Sequence, residues 1–185
     1  MSYEITLCSN SKVRATLLKK ANIPFIQNSC EFDEDSIKTE IPLEFVKKAT
    51  EGKFKECLKC FGDKTPLLCA DTIITDGKTL IRKPKNREEA KKLLLLQSGN
   101  KIDIVTYHIL GFKGKIYTHL ATTTYYFKIF EELENYLESG EWQGSAGGCK
   151  VEGFCKKYIK SQQGYESTAM GLTIEWLKNI LKGLK

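Results

Sequence analysis

The chain has 185 residues, 41% of them hydrophobic and 28% charged, with a formal net charge of +6. That length holds one domain with a substantial core, and the composition excludes a disordered chain. No apolar run approaches a membrane span, and the opening "MSYEITLCSNSKVR" reaches a polar loop too soon for a signal peptide, so a cytoplasmic location is expected.

The positive charge favours an anionic partner. The lysines are nevertheless scattered over "LLKKAN", "FVKKAT" and "EAKKLLLL" without a shared face, so stable nucleic-acid binding is not expected and polyphosphate ligands stay open. Seven cysteines without a secretion signal are expected to be reduced thiols, mostly filling the core. Cys57 and Cys60 form a lone CxxC. A zinc site would need a second pair at ligand spacing, Cys149 and Cys155 are poorly spaced for it, and only two histidines exist, so no zinc is expected.

In chain order, Ile5 to Cys8 reads as a short strand running into Ser9-Asn10-Ser11. A helix follows from Lys12 to Ala21, with Ser11 as N-cap and Leu17 and Leu18 inward. Pro24-Phe25-Ile26 opens an extended piece that ends in the acidic loop "CEFDED". Pro42 opens a second helix through Val46 and Ala49 toward Lys53, and residues 54–66 read as a polar, irregular excursion. Leu67 to Thr75 is a strand, and Asp76-Gly77 turns the chain back through Thr79 to Ile81. Asn86 with Glu89 three residues later starts the helix "REEAKKLLLLQ", which Gly99 stops. Residues 102–129 read as two long strands around Lys113-Gly114, and Glu131 to Ser139 as a short helix ended by Gly140. The loop "QGSAGG" leads into a strand-like "EGFCKKYIKS", a turn at Gly164, and a closing amphipathic helix from Gly171 to Leu181. Helices and strands mix without strict alternation. This predicts an α/β domain with a mixed β-sheet flanked by helices, spanning residues 1–185.

Four places combine strand ends with charge. Ser9 to Arg14 joins a strand to a helix N-terminus, offering free backbone N–H groups, hydroxyls and a guanidinium that can fork onto phosphate oxygens. Taken alone, this loop better fits a plain helix cap with a surface arginine. Glu31, Asp33, Glu34 and Asp35 crowd together, which suits either an acidic surface turn or a Mg²⁺ ion held by a couple of carboxylates and substrate phosphates. Asp71 stands with Thr72 inside an apolar strand, and the hairpin brings Lys83 back beside it. In "GSAGGCKVEGF" glycines permit close backbone approach and Glu152 adds an acceptor.

Together these fragments resemble the Maf family nearly end to end. The family's opening SxSPRRxxLL is similar to Ser9 through Leu18, its acidic D-E step to Asp33-Glu34, and its second-helix lysine to Lys53. Its ADT motif is similar to Ala70-Asp71-Thr72 and its KP motif to Lys83-Pro84. Ser98-Gly99, Ala146-Gly147…Glu152-Gly153 and Met170-Gly171-Leu172-Thr173 match its later motifs in order. The departures are Lys12 and Val13 for proline and the first arginine, Asn100-Lys101-Ile102 after the SG, Ser145 for a lysine, and Thr173 for the final proline. The resemblance implies a two-lobed fold around a central cleft, akin to the inosine triphosphate pyrophosphatases. It implies hydrolysis of a nucleoside triphosphate to the monophosphate and pyrophosphate with a divalent metal (Mg²⁺ or Mn²⁺), in a homodimer. On that reading Asp71 is the general base, with Lys53 and Lys83 as the other catalytic residues. Ser9, Ser11, Arg14, Thr72 and Glu152 bind substrate, and Glu34 and Asp71 hold the metal. Glu152 resembles the branch that cleaves 7-methyl-GTP and Thr72 the branch that cleaves dTTP and UTP, so the base stays open. The alternative is a non-enzymatic regulator of septum formation and cell division, in which the acids are surface and the cations a partner face.

Overall fold

Strand β1 (Ile5–Cys8) is buried at every residue, as a strand covered on both faces must be, and the sheet grows outward from it. The computed structural model describes residues 3–151 and 153–184. β1 pairs in parallel with β2 (Phe25–Asn28) on one side and with β3 (Leu67–Thr75) on the other. The two-residue β4 (Leu80–Ile81) returns against β3 through the Asp76-Gly77 turn. β3 also runs antiparallel to β5 (Lys101–Phe112), β5 to β6 (Lys115–Phe127), and β6 to β7 (Ile159–Gln163). The path β2-β1-β3-β5-β6-β7 is therefore a mixed sheet, as the sequence leads one to expect.

Six α-helices are present among the described residues: α1 (Lys12–Lys20), α2 (Pro42–Phe61), α3 (Arg87–Gln97), α4 (Leu133–Ser139), α5 (Glu166–Ala169) and α6 (Ile174–Gly183). Their starts are legible in local chemistry. The Ser11 hydroxyl accepts from the Arg14 N–H at 3.3 Å. The Asn86 carboxamide accepts from the Glu89 N–H at 2.9 Å, while Glu89 reaches back to the Lys85 N–H at 2.8 Å. None of these helices is long and apolar enough to cross a membrane.

Of four buried apolar clusters among the described residues, the two largest share the central strands. Ile5, Leu7, Leu18, Leu172 and Leu177 pack between β1, α1 and α6, together with Leu68 and Ala70 from the first half of β3. Leu94, Ile102, Tyr125, Phe130 and Tyr136 pack between β5, β6, α3 and α4, together with Ile74 from the second half of β3. Where the cores meet, Asp71 and Thr72 are the two residues of β3 that are only partly buried.

Three expectations are corrected. Residues 54–66 do not form an irregular excursion: α2 continues to Phe61 because Phe54 and Cys57 prolong the buried stripe of Val46, Ala49 and Thr50 at helical spacing. The strand-like "EGFCKKYIKS" begins instead as a 3₁₀ turn, Phe154–Tyr158, because Phe154 stacks on Tyr136 at 4.0 Å between centroids and Cys155 and Tyr158 share its buried side. The closing helix starts at Ile174 rather than Gly171. α5 is an additional short helix that the turn residues at 164 do not announce.

His108 on β5 is fully buried and makes two bonds that only a neutral ring can make together. Nδ1–H donates to the His119 carbonyl at 3.1 Å, and Nε2 accepts from the Thr173 N–H at 2.9 Å. Burial pushes its pKa down to about 3. In the unfolded chain it titrates near ~6.5, so the unfolded state binds the extra proton and stability falls as pH drops below ~6.5. The cost approaches about 1.4 kcal/mol per pH unit down to the native value. His119, also lowered by burial, adds the same sign. Urea midpoints taken between neutral pH and pH ~5, above most carboxylate titration, should fall, and His108→Gln should flatten the slope. A flat wild-type profile would contradict this.

Candidate active site

Lys53 extends from α2 over the middle of β3. Its ammonium lies 2.9 Å from Asp71 Oδ2 and 2.5 Å from Glu34 Oε1, a carboxylate carried by the 3₁₀ turn Glu34–Ser36. Asp71 Oδ1 meanwhile accepts from the Thr72 N–H at 3.0 Å. Burial alone would lower the Lys53 pKa, but the charges of Asp71 and Glu34 outweigh it and hold the pKa above the ordinary lysine value. Of the four acids in the acidic loop, Glu34 alone makes this contact, while Glu31 and Asp33 line the neighbouring cavity.

Arg14, one turn into α1, is held by three elements at once. Nε donates to the Gly171 carbonyl at 2.7 Å, Nη1 to Ser9 Oγ at 3.1 Å and Nη2 to Thr72 Oγ1 at 3.2 Å. Gly171 has φ +96°, and a Cβ there would come within 3.2 Å of both Arg14 Nε and Thr72 Oγ1, so glycine is needed for the contact. The Thr72 hydroxyl lies 2.9 Å from that of Thr106, which gives its own proton to the Thr168 carbonyl at 2.8 Å. Thr72 therefore donates to Thr106 and accepts from Arg14, which leaves it no donor for a ligand.

These groups border two cavities that share Lys53 as a wall. One, of about 580 Å³, is lined by Ser9, Asn10, Arg14, Lys53, Asp33 and Cys8 among others. The other, of about 480 Å³, is lined by Glu34, Phe45, Asp71, Thr72, Arg82 and Lys83 among others, Lys53 included. Lys83 is exposed and sits just past the end of the β3–β4 ladder, so the hairpin does bring it to the same cavity as Asp71. The glycine-rich loop closes that side, where Gly147 N–H donates to the Arg82 carbonyl at 3.0 Å. Ser11 is not among the residues lining either cavity. Its hydroxyl caps α1, and its N–H donates to Ser9 Oγ at 3.2 Å. Glu152 lies outside the described residues.

The reduced-thiol expectation is corrected for four cysteines. Cys30 is joined to Cys60 and Cys149 to Cys155, pairings that depend on where helix and loops meet and leave no trace in sequence spacing. Cys8, Cys57 and Cys69 remain free and buried. Hydrogen bonds from Cys69 and Cys8 hold the Cys57 thiol down to about 3, while its partner Cys8 is pushed up to about 12, chiefly by its bond to Cys57. Cys69 is raised, first by its bond to Cys57 and then by its bond to Cys8 and by burial.

Comparison with known proteins fits this geometry. The family model described as Maf-like protein matches residues 4–184. A nucleoside triphosphate pyrophosphatase from Nitratiruptor sp. is 46% identical over 184 residues, covering 97% of this chain and all of the relative. Proteins of the same name from Helicobacter pylori and Campylobacter jejuni are 39% and 37% identical, covering 97% and 96% of this chain and 95% and 100% of theirs. The chain belongs to the Maf family of nucleoside triphosphate pyrophosphatases. Its fold is similar to that of a HAM1 protein from Coxiella burnetii, with a TM-score of 0.52 at 12% identity over 98% of this chain and all of that one.

Sequence reasoning missed the supports of the site. Phe45 carries the Arg82 guanidinium 4.5 Å above its ring in the second cavity. Gly52, next to Lys53, accommodates the Phe32 ring, which would overlap any Cβ placed there. A glycine inside a long amphipathic helix was the available signal. Gly52→Ala, by helix propensity worth about 1 kcal/mol of stabilisation, should bring no gain and should displace Phe32. The Gly52→Ala, Phe32→Ala double variant should recover the propensity gain relative to Phe32→Ala alone. Urea unfolding of the four chains checks this, and an ordinary stabilisation by Gly52→Ala alone would refute it.

Proposed function

We propose that this chain hydrolyses a nucleoside triphosphate to the monophosphate and pyrophosphate in the cleft between its two largest cores. The observation that carries this is the convergence of Arg14, Lys53, Lys83 and two carboxylates, from five separate segments, on two adjoining cavities. A triphosphate carries several negative charges that repel a nucleophile, so a cleft for it must present fixed cations and N–H donors before water can attack. Arg14 and Ser9, with the N-terminus of α1, suit the phosphate tail. The cavity floored by Phe45 and Arg82 suits the base.

Glu34 and Asp71 suit a divalent metal, because both are hard oxygen donors that already meet on one cation, and Mg²⁺ uses one or two carboxylates together with substrate phosphates and water. Bound there, Mg²⁺ or Mn²⁺ would neutralise phosphate charge and polarise the α-phosphate. Asp71, fixed by Lys53 and the Thr72 N–H, takes the proton of the attacking water as the bond from the α-phosphorus to pyrophosphate breaks. Lys53 orients that carboxylate, and Lys83 stabilises charge developing on the departing side.

A positioned base contributes ~10²–10⁴-fold. Asp71→Asn should therefore lose about that factor in kcat for pyrophosphate release, with an unchanged far-ultraviolet circular dichroism spectrum. A folded variant that keeps most of its turnover would remove Asp71 from this role. Lys83→Ala should lower kcat/KM through weaker transition-state stabilisation. A panel of 7-methyl-GTP, dTTP, UTP and damaged nucleotides with Mg²⁺ and with Mn²⁺ assigns the base. A purified protein that turns over none of them would favour the regulator reading.

A further inference from the structure

The free thiols of Cys8, Cys57 and Cys69 come from three different elements, β1, α2 and β3, yet their sulfur atoms all lie within 4.8 Å of one another. This is the one cluster of three or more potential ligating side chains among the described residues. Three thiolates bound to a single Zn²⁺ at about 2.3 Å stand roughly 3.8–4.0 Å apart, so the existing spacing needs little adjustment to close on an ion. Phe54, Leu67 and Ile109 surround the cluster with buried apolar surface, which excludes competing water from that side. On the other side Cys8 and Cys57 line the 580 Å³ cavity, which gives an ion a way in and leaves room for a fourth, exchangeable ligand. Core filling alone accounts for buried cysteines one at a time. It does not account for three sulfurs from separate elements turned toward one another at the edge of an open cavity.

We propose that Cys8, Cys57 and Cys69 form a binding site for a thiophilic d¹⁰ cation, Zn²⁺ in the first instance, separate from the carboxylate pair of the cleft. Sulfur donors select such ions over Mg²⁺ and Mn²⁺, which prefer carboxylate, carbonyl and water oxygens. Cys8 immediately precedes Ser9, so an ion held here would sit at the base of the loop that presents Ser9 and Arg14. Binding replaces the remaining thiol protons by the metal and releases them to solvent.

The test uses the full chain with its two disulfides intact, handled without oxygen, stripped of metal and titrated with Co²⁺ as a spectroscopic stand-in and then with Zn²⁺ in competition. The expected result is one equivalent of Co²⁺, thiolate-to-cobalt charge-transfer absorption, displacement by Zn²⁺ and no displacement by excess Mg²⁺. The absorption should be lost in Cys69→Ser and in Cys57→Ser, and kept in the double variant Cys30→Ser, Cys60→Ser, which removes the adjacent pair. Because the single variants could misfold, thiol alkylation of the unaltered protein, mapped by mass spectrometry, gives a second readout. Zn²⁺ should protect Cys8, Cys57 and Cys69 selectively. Absence of thiolate absorption, loss of binding only when Cys30 and Cys60 are replaced, or no selective protection would each overturn the proposal. None of these readouts depends on pyrophosphatase activity.

Discussion

The ammonium of Lys53 ties together three parts of the chain that otherwise share little: α2, the acidic turn at Glu34 and the middle of β3. A lysine held largely out of solvent beside apolar strands is unfavourable by itself, and two carboxylates at hydrogen-bond distance reverse the balance. The reciprocal holds as well. Asp71, with Thr72, interrupts an otherwise buried strand, and each of its two oxygens has a partner, Lys53 for one and the Thr72 N–H for the other. For this to work, α2 must run its full 20 residues and lie close on the sheet. Phe54, one residue beyond Lys53, packs where a Cβ at Gly111 of β5 would stand. One residue before Lys53, Gly52 gives up helix propensity so that Phe32 can rest on the helix and carry Glu34 into range.

A second constraint runs at right angles to the first. From Arg14 a line of hydrogen bonds passes through the hydroxyls of Thr72 and Thr106 to the Thr168 carbonyl. The Thr168 and Thr173 hydroxyls then meet at 2.7 Å, and the Thr173 N–H reaches His108. Thr106, His108, Thr168 and Thr173 are buried and Arg14 and Thr72 partly so, and no buried side-chain nitrogen or oxygen among the described residues lacks a partner. In a low-dielectric interior such a line either satisfies all its members or costs heavily. It therefore fixes the guanidinium against the residues leading into α6 as firmly as the apolar packing fixes the strands. The side chain and the N–H of Thr173 are both spent in this line.

Much of this was legible in the sequence because the signals are local. Caps at Ser11 and Asn86, the Asp76-Gly77 turn and the Lys113-Gly114 reversal depend on residues within three or four positions of one another. The residues proposed for the site were picked out through the order of short motifs, and the hairpin between Asp71 and Lys83 could be counted out directly. What could not be read was the product of long-range approach. The length of α2 depends on Phe54 and Cys57 finding the sheet. The 3₁₀ turn at Phe154 depends on a ring contributed by α4. The commitment of the Thr72 hydroxyl to Thr106 and Arg14 depends on strand register. Cysteines fared worst, because neither the pairing of Cys30 with Cys60 nor the gathering of Cys8, Cys57 and Cys69 follows from their separation along the chain.

The cleft also brings two kinds of donor close together, which bears on both proposals. The carboxylates proposed to hold Mg²⁺, Glu34 and Asp71, line the second cavity, whereas Cys8 and Cys57 line the first beside Glu31 and Asp33. Ions that demand oxygen gain little from thiolates, and ions that favour sulfur gain little from two carboxylates already engaged by an ammonium. Occupancy of one set therefore leaves the other chemically free. Their influence on each other would pass through charge and through the short loop from Cys8 to Arg14. That loop is held at both ends, by the buried strand β1 and by the three bonds of the guanidinium. A change in charge at Cys8 would reach Arg14 mainly as an electrostatic field, because both ends of the loop are pinned.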